Sequence, residues 1–154
     1  MIRIKKLMAL LSVVGLGVVL SACATGAKME PAKNGYNKQK VVYHLNDIDS
    51  AFGALRNAKN HLNALGDENV ELIVVTHSKG AFTLVDGSKD AKGRDMNDMV
   101  NKLSNRGVKF QICANTIRGK KIDKTKINLN AEVVPSGVAQ IAHLEQMGYN
   151  YIKP

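Results

Sequence analysis

Leu72-Ile73-Val74-Val75 is an unbroken apolar run, the pattern of a strand buried on both faces rather than one with a wet side. A helical pattern precedes it. Ala51, Phe52, Ala54, Leu55, Ala58, Leu62 and Leu65 recur every three to four residues, predicting a helix from about Ser50 that stops at Gly66. Before that helix, Val41-Val42-Tyr43-His44-Leu45 reads as a first strand. After the apolar run comes a polar segment, Gly80 to Gly93, and then a helical stripe of Met96, Met99, Val100 and Leu103 ending at Asn105-Arg106-Gly107. Val108 to Cys113 is a third strand, a short polar turn or helix spans about 116–124, and Ala131 to Val134 is a fourth strand. Ser136 caps a helix through Val138, Ile141, Ala142 and Leu144 to Gly148, and Tyr149 to Ile152 closes the chain as a strand.

Strand and helix alternating in this way predict a three-layer α/β/α sandwich around a mostly parallel, five-stranded sheet of flavodoxin-like type. Right-handed crossovers favour the strand order 2-1-3-4-5. Ligands of such sheets sit beyond the carboxyl ends of the strands where the order reverses, here between the first and third strands. Those ends carry Leu45-Asn46-Asp47 and Cys113-Ala114-Asn115.

The N-terminus has a different character. Arg3, Lys5 and Lys6 precede an apolar run from Leu7 to Ala22, and Leu20-Ser21-Ala22-Cys23 follows the small-residue pattern of a lipoprotein cleavage site. The run holds 16 residues and includes Gly15 and Gly17, against the roughly 20 apolar residues of a spanning helix. Residues 1–22 are therefore expected to be a signal peptide, with Cys23 as the acylated new N-terminus and the protein held on the outside of a bacterial membrane by lipid. Ala24 rather than Asp after the cysteine, by resemblance to Gram-negative lipoproteins, implies the periplasmic side of the outer membrane. Residues 24–39 are small, polar and Lys-rich, and read as a tether from Cys23 to a domain spanning 40–154.

The 154 residues carry a formal net charge of +9, and the signal holds three of the 22 basic residues and none of the 13 acidic ones, which leaves +6. One compact domain fits the length after the signal. An exported chain with no Trp and no interleaving of basic and aromatic residues does not fit nucleic acid, whereas anionic lipid or small anions suit its surface. No Walker loop or G-x-G-x-x-G occurs, so no cofactor is expected.

With Cys23 acylated, Cys113 is the single thiol, and it is either inert packing or the working chemistry. A thiol at a strand end facing a helix start, with Asn115 or Thr116 as N-cap and Arg118, Lys120 and Lys121 nearby, is placed to ionise. Thr76-His77-Ser78-Lys79-Gly80 resembles a serine-hydrolase elbow lacking its first Gly, but 81–93 does not read as the helix that an elbow needs, and a polar loop is the simpler reading. Of the histidines, His61 and His143 fall within helices. His44 and His77 lie near the ends of adjacent strands, where both could line one crevice. Their spacing does not make a metal set, and no metal is expected. Ser136 and Gly137 open the last helix as an anion-binding candidate, with plain capping as the alternative.

Three stretches, KVVYHLND (40–47), GVKFQICANTIRG (107–119) and VVPSGVAQIAHLEQMGYNYIKP (133–154), together resemble the DsrE/DsrF-like family. The resemblance implies a flavodoxin-like fold, homo-oligomers (dimers, trimers or hexamers), and sulfur relay through a persulfide on the cysteine matching Cys113, accompanied by Asn115, Thr116 and Arg118. Well-known members work in the cytoplasm, feeding transfer-RNA modification or sulfur oxidation, so an exported member needs a different sulfur donor and acceptor. The expectation is a lipid-anchored sulfur carrier, with Arg118 and amides near Asn115 and Thr116 stabilising the anion and with His44 and Asn46 shaping the entrance. Two alternatives stand beside it. One is an oligomeric binding module for a small anion or a protein partner, with Cys113 buried. The other is a redox sensor that pairs Cys113 between subunits.

Overall fold

A computed structural model describes residues 33–154. The expected signal peptide, Cys23 and most of the expected tether lie outside these residues. The elements in chain order are β1 (Gln39–Leu45), α1 (Ala51–Leu65), β2 (Val70–Thr76), α2 (Asn97–Ser104), β3 (Lys109–Cys113), α3 (Ala114–Gly119), β4 (Ala131–Val134), α4 (Gly137–Gln146) and β5 (Asn150–Ile152). A 3-10 turn, Ser78–Leu84, follows β2. The chain is tied to the domain before residue 39, because the Asn34 side-chain amide donates to the Ala64 carbonyl at the end of α1.

All four strand pairings are parallel, and the order across the sheet is β4-β3-β2-β1-β5. This corrects the order 2-1-3-4-5: β2 lies between β1 and β3, so no crevice separates those two strands. The cause is visible in the packing. Val85, Met96, Val100 and Leu103, on the segment joining β2 to β3, share one core with Leu55 and Leu62 of α1. Right-handed crossovers that keep their helices on one face must step in one direction, so β2, β3 and β4 follow each other outward from β1. Among the described residues α4 is the one helix on the other face, and under it the chain returns to place β5 on the far side of β1.

Alternation along each strand assigns its side chains to the two faces. Val41, Tyr43, Leu45, Leu72, Val74, Phe110 and Ile112 point into the larger core beneath α1 and α2. Val42, Ile73 and Val75 meet Ile141 and Leu144 of α4 in a smaller core. His44, His77 and Cys113 continue that second register at the carboxyl ends of three adjacent strands, on the face that α4 covers. β2 is buried along nearly its whole length, as its apolar run implies.

Candidate functional site

Cys113 ends β3 and is itself the N-cap of α3, because helix follows strand with no intervening loop. The expected polar turn at 116–124 is thus a helix that begins two residues earlier, and neither Asn115 nor Thr116 caps it. The consequence is chemical. The first turn of α3 wraps its free amides around the cysteine's own sulfur. Burial, which leaves the residue 4% exposed, pushes the thiol pKa up. The nearby backbone N–H of Gly137, backbone N–H and hydroxyl of Thr116, and backbone N–H of Asn115 favour the sulfur anion and more than offset that effect. The net direction is down, toward thiolate.

Gly137 reaches the sulfur because α4 starts beside it. Ser136 caps that helix, its Oγ accepting from the Ala139 N–H at 3.5 Å. The glycine eases a close approach: a Cβ there would stand 3.1 Å from the His77 Cβ and 3.4 Å from the Cys113 Cβ. So Ser136 is a capping residue, and the group beside the Gly137 amide is the Cys113 thiol, whose ionisation that amide favours.

The 3-10 turn after β2 supplies the next layer. Ser78 adopts a left-handed conformation (φ 53°), which turns its N–H onto the Thr116 Oγ1 at 3.0 Å. With one lone pair of Oγ1 so engaged, the Thr116 hydroxyl proton is free to point at Sγ. The junction is as tight as a nucleophile elbow, but a 3-10 turn follows it and its amide serves Cys113. Gly80 permits the tightness, since a Cβ there would fall 2.3 Å from the Leu45 carbonyl oxygen.

His77 turns its ring toward β1. Its Nε2 lies 2.6 Å from Nε2 of His44, and the ring centroids are 4.7 Å apart. His44 Nδ1 in turn meets the Tyr151 hydroxyl at 2.6 Å. Burial lowers both histidine pKa values, Lys153 lowers both further, and His77 also lowers that of His44. These shifts favour the neutral imidazoles, and a hydrogen bond between the two facing nitrogens needs one proton between them.

The expected site residues thus divide. Cys113, Asn115, Thr116 and Gly137 converge on the sulfur, and His44 reaches their edge through His77. Asn46 is half-buried just past β1, where its backbone packs against Gly80. Arg118 is not directed at the thiol. Its guanidinium bonds the Asn115 side-chain oxygen, and it lines a cavity of about 550 Å³ with Ile117, Lys124, Ile127, Leu129 and Val133, beside β4 and on the opposite face of the sheet from the sulfur. His61 is bound to Tyr43 and Gln39 away from the site. The sequence offers Ser78 only as the serine of an elbow-like segment and His77 as a crevice histidine, and it assigns no site role to Tyr151 or Lys153. The alternating register of β1 and β5 carries the signal for Tyr151, but only once β5 is known to pair with β1. Among the described residues, no group of three or more His, Cys, Asp or Glu side chains is placed to hold a metal ion.

The model of the DsrE/DsrF-like family matches residues 32–154. Among solved structures, the chain is similar to MTH1491 of Methanobacterium thermoautotrophicum, a protein of unknown function, at 30% identity and a TM-score of 0.67 over 75% of this chain and 99% of that one. It is also similar to the YchN protein of E. coli, at 19% identity and a TM-score of 0.62 over 75% and 99% of the two chains, a likeness of fold. No curated protein matches the sequence.

Proposed function

The chain belongs to the DsrE/DsrF-like family, which is associated with sulfur relay, and from that premise we propose that it carries sulfane sulfur as a persulfide on Cys113. The observation that carries this reading is the position of the one described cysteine, at the N-cap of α3 and beside Gly137 at the start of α4, where nearby amides and the Thr116 hydroxyl lower its pKa. In loading, the Cys113 thiolate attacks the outer sulfur of a persulfide or polysulfide donor. The donor's S–S bond breaks, a new S–S bond forms at Sγ, and the departing thiolate takes up a proton from water. In unloading, an acceptor thiolate attacks the outer sulfur and Cys113 leaves as thiolate. Donors near Sγ favour both the attacking and the leaving anion, and transfer rates follow both.

The same proposal places the protein on the outside of a bacterial membrane, tethered through acylated Cys23 and assembled as a homo-oligomer. The charged, apolar and small-residue regions of residues 1–23 support the tether. Substituting Cys23→Ala is then expected to release the protein from the membrane fraction and to remove its acyl mass. Cyanide tests the cargo, since it removes sulfane sulfur as thiocyanate. Protein treated with polysulfide and desalted is expected to yield thiocyanate, and Cys113→Ser protein none; equal release from both would refute the assignment.

The deep burial of Cys113 favours a second reading, a binding module in which the thiol only packs. Native alkylation separates the two readings. A carrier's thiol reacts in the folded protein, whereas a packing thiol reacts only after denaturation.

A further inference from the structure

A continuous chain of contacts runs from the surface to the Cys113 sulfur. The exposed Tyr151 hydroxyl meets His44 Nδ1, and His44 Nε2 meets His77 Nε2. His77 is joined by a peptide bond to Ser78, the Ser78 N–H donates to Thr116 Oγ1, and Thr116, in the first turn of the helix that Cys113 caps, is among the groups that lower the thiol pKa. The side wall of this chain is also shared, since the position of a Cβ on Gly137 would touch both His77 and Cys113. We propose that His44 and His77 are positioning residues for the Cys113 thiolate, acting through Ser78 and Thr116, and that a second proton on the imidazole pair switches the thiolate off.

The argument turns on the proton count. Two imidazole nitrogens 2.6 Å apart form a hydrogen bond only while one of them is bare. The first proton added to the neutral pair makes one imidazolium, whose facing N–H still donates to the bare nitrogen of the other ring. A second added proton makes both rings donors and puts two like charges in contact, with Lys153 adding a third from the end of β5. The groups acting on the pair are each other, Lys153 and the Tyr151 hydroxyl on β5. From β3 the pair is approached by Cys113, and the residue of α4 that packs against it is Gly137. The doubly protonated pair must separate. His44 is held within β1, whereas His77 sits in the turn after β2, so His77 is the residue that moves. Its displacement carries the Ser78 amide off Thr116, and the hydroxyl loses the constraint that aims it at the sulfur.

This inference rests on the sulfur-carrier reading for its biological meaning, as regulation of that site, but its test does not use sulfur. A full-length Cys23→Ala chain, in which Cys113 is the one remaining thiol, is alkylated with iodoacetamide across pH 5–9, while the two imidazoles are followed by NMR. The expected profile falls more steeply than a single ionisation, and its steep limb coincides with the second protonation of the pair. In the same background, Thr116→Val is expected to raise the thiol pKa and slow alkylation near neutral pH on the order of tenfold, and Thr116→Ser to restore it. His44→Gln is expected to replace the steep limb with a single ionisation. A single-ionisation profile in the unsubstituted site, indifferent to the imidazole titration, would overturn the inference even if a variant fails to fold. Sulfur loading at a fixed alkaline pH is read separately. Loading without the steep limb sinks the switch alone, and a steep limb without loading sinks the carrier.

Discussion

Two glycines in this fold act by their lack of a side chain, and each supports the thiol. Gly137 lets α4 begin against Cys113 and His77, and Gly80 lets the turn after β2 lie on the Leu45 carbonyl. Gly80→Ala places a carbon 2.3 Å from backbone that cannot yield locally, so it is expected to destabilise the domain by about 1–3 kcal/mol or more in urea denaturation. Gly137→Ala makes contacts of 3.1 and 3.4 Å, which require shifts of only a few tenths of an ångström. Its expected signature is chemical: slower alkylation of Cys113 with a smaller loss of stability, because the amide that favours the sulfur anion moves with the helix. Equal alkylation rates for Gly137→Ala and the unsubstituted chain would remove that amide from the account.

At the scale of elements, α1 and α4 make different demands. Leu62 lies on the buried stripe of α1 in the main core, and Leu62→Ala is expected to cost about 2–5 kcal/mol by leaving a cavity. Ser136→Ala removes a long capping bond and is expected to cost about 0.5–1 kcal/mol, with partial fraying of the amides that face Cys113. The identities of these elements were legible in the sequence, because periodicity and caps are local signals. The stripe from Ala51 to Leu65 and the strand Ala131 to Val134 fall where the spacing puts them. The order of the strands was not legible, because it depends on which face the segment from Val85 to Leu103 covers, and apolar spacing does not record a face. The same limit hid part of the site. Cys113 was legible as a thiol at a strand end, whereas the link from Tyr151 through His44 to His77 depends on β5 lying beside β1. The loss of the Arg118 role has a local cause: a helix starting directly at Cys113 turns that guanidinium toward Asn115 and the opposite face.

At the scale of the whole domain, one sheet gathers three chemically useful side chains at one end, on the face that α4 covers. Acid is expected to act on the molecule as a whole. Both histidines of the pair have folded-state pKa values below the ordinary value near 6.5, so below about that pH the unfolded chain binds protons that the folded chain resists. Stability is therefore expected to be full above that range and to fall as the pH drops through the depressed folded pKa values. The slope should be reduced in His44→Gln, as measured by thermal melts from pH 8 to pH 5. An unchanged slope in that variant would mean that the pair does not titrate as described.

The central claim, that Cys113 carries sulfur, is tested most directly by the intact mass of the full-length Cys23→Ala chain after incubation with polysulfide. A single added sulfur of about 32 Da, removed by reductant and missing in the Cys113→Ser derivative of that chain, is the predicted result. An unchanged mass, from a folded protein whose Cys113 also resists alkylation, would contradict the account and leave the thiol as packing.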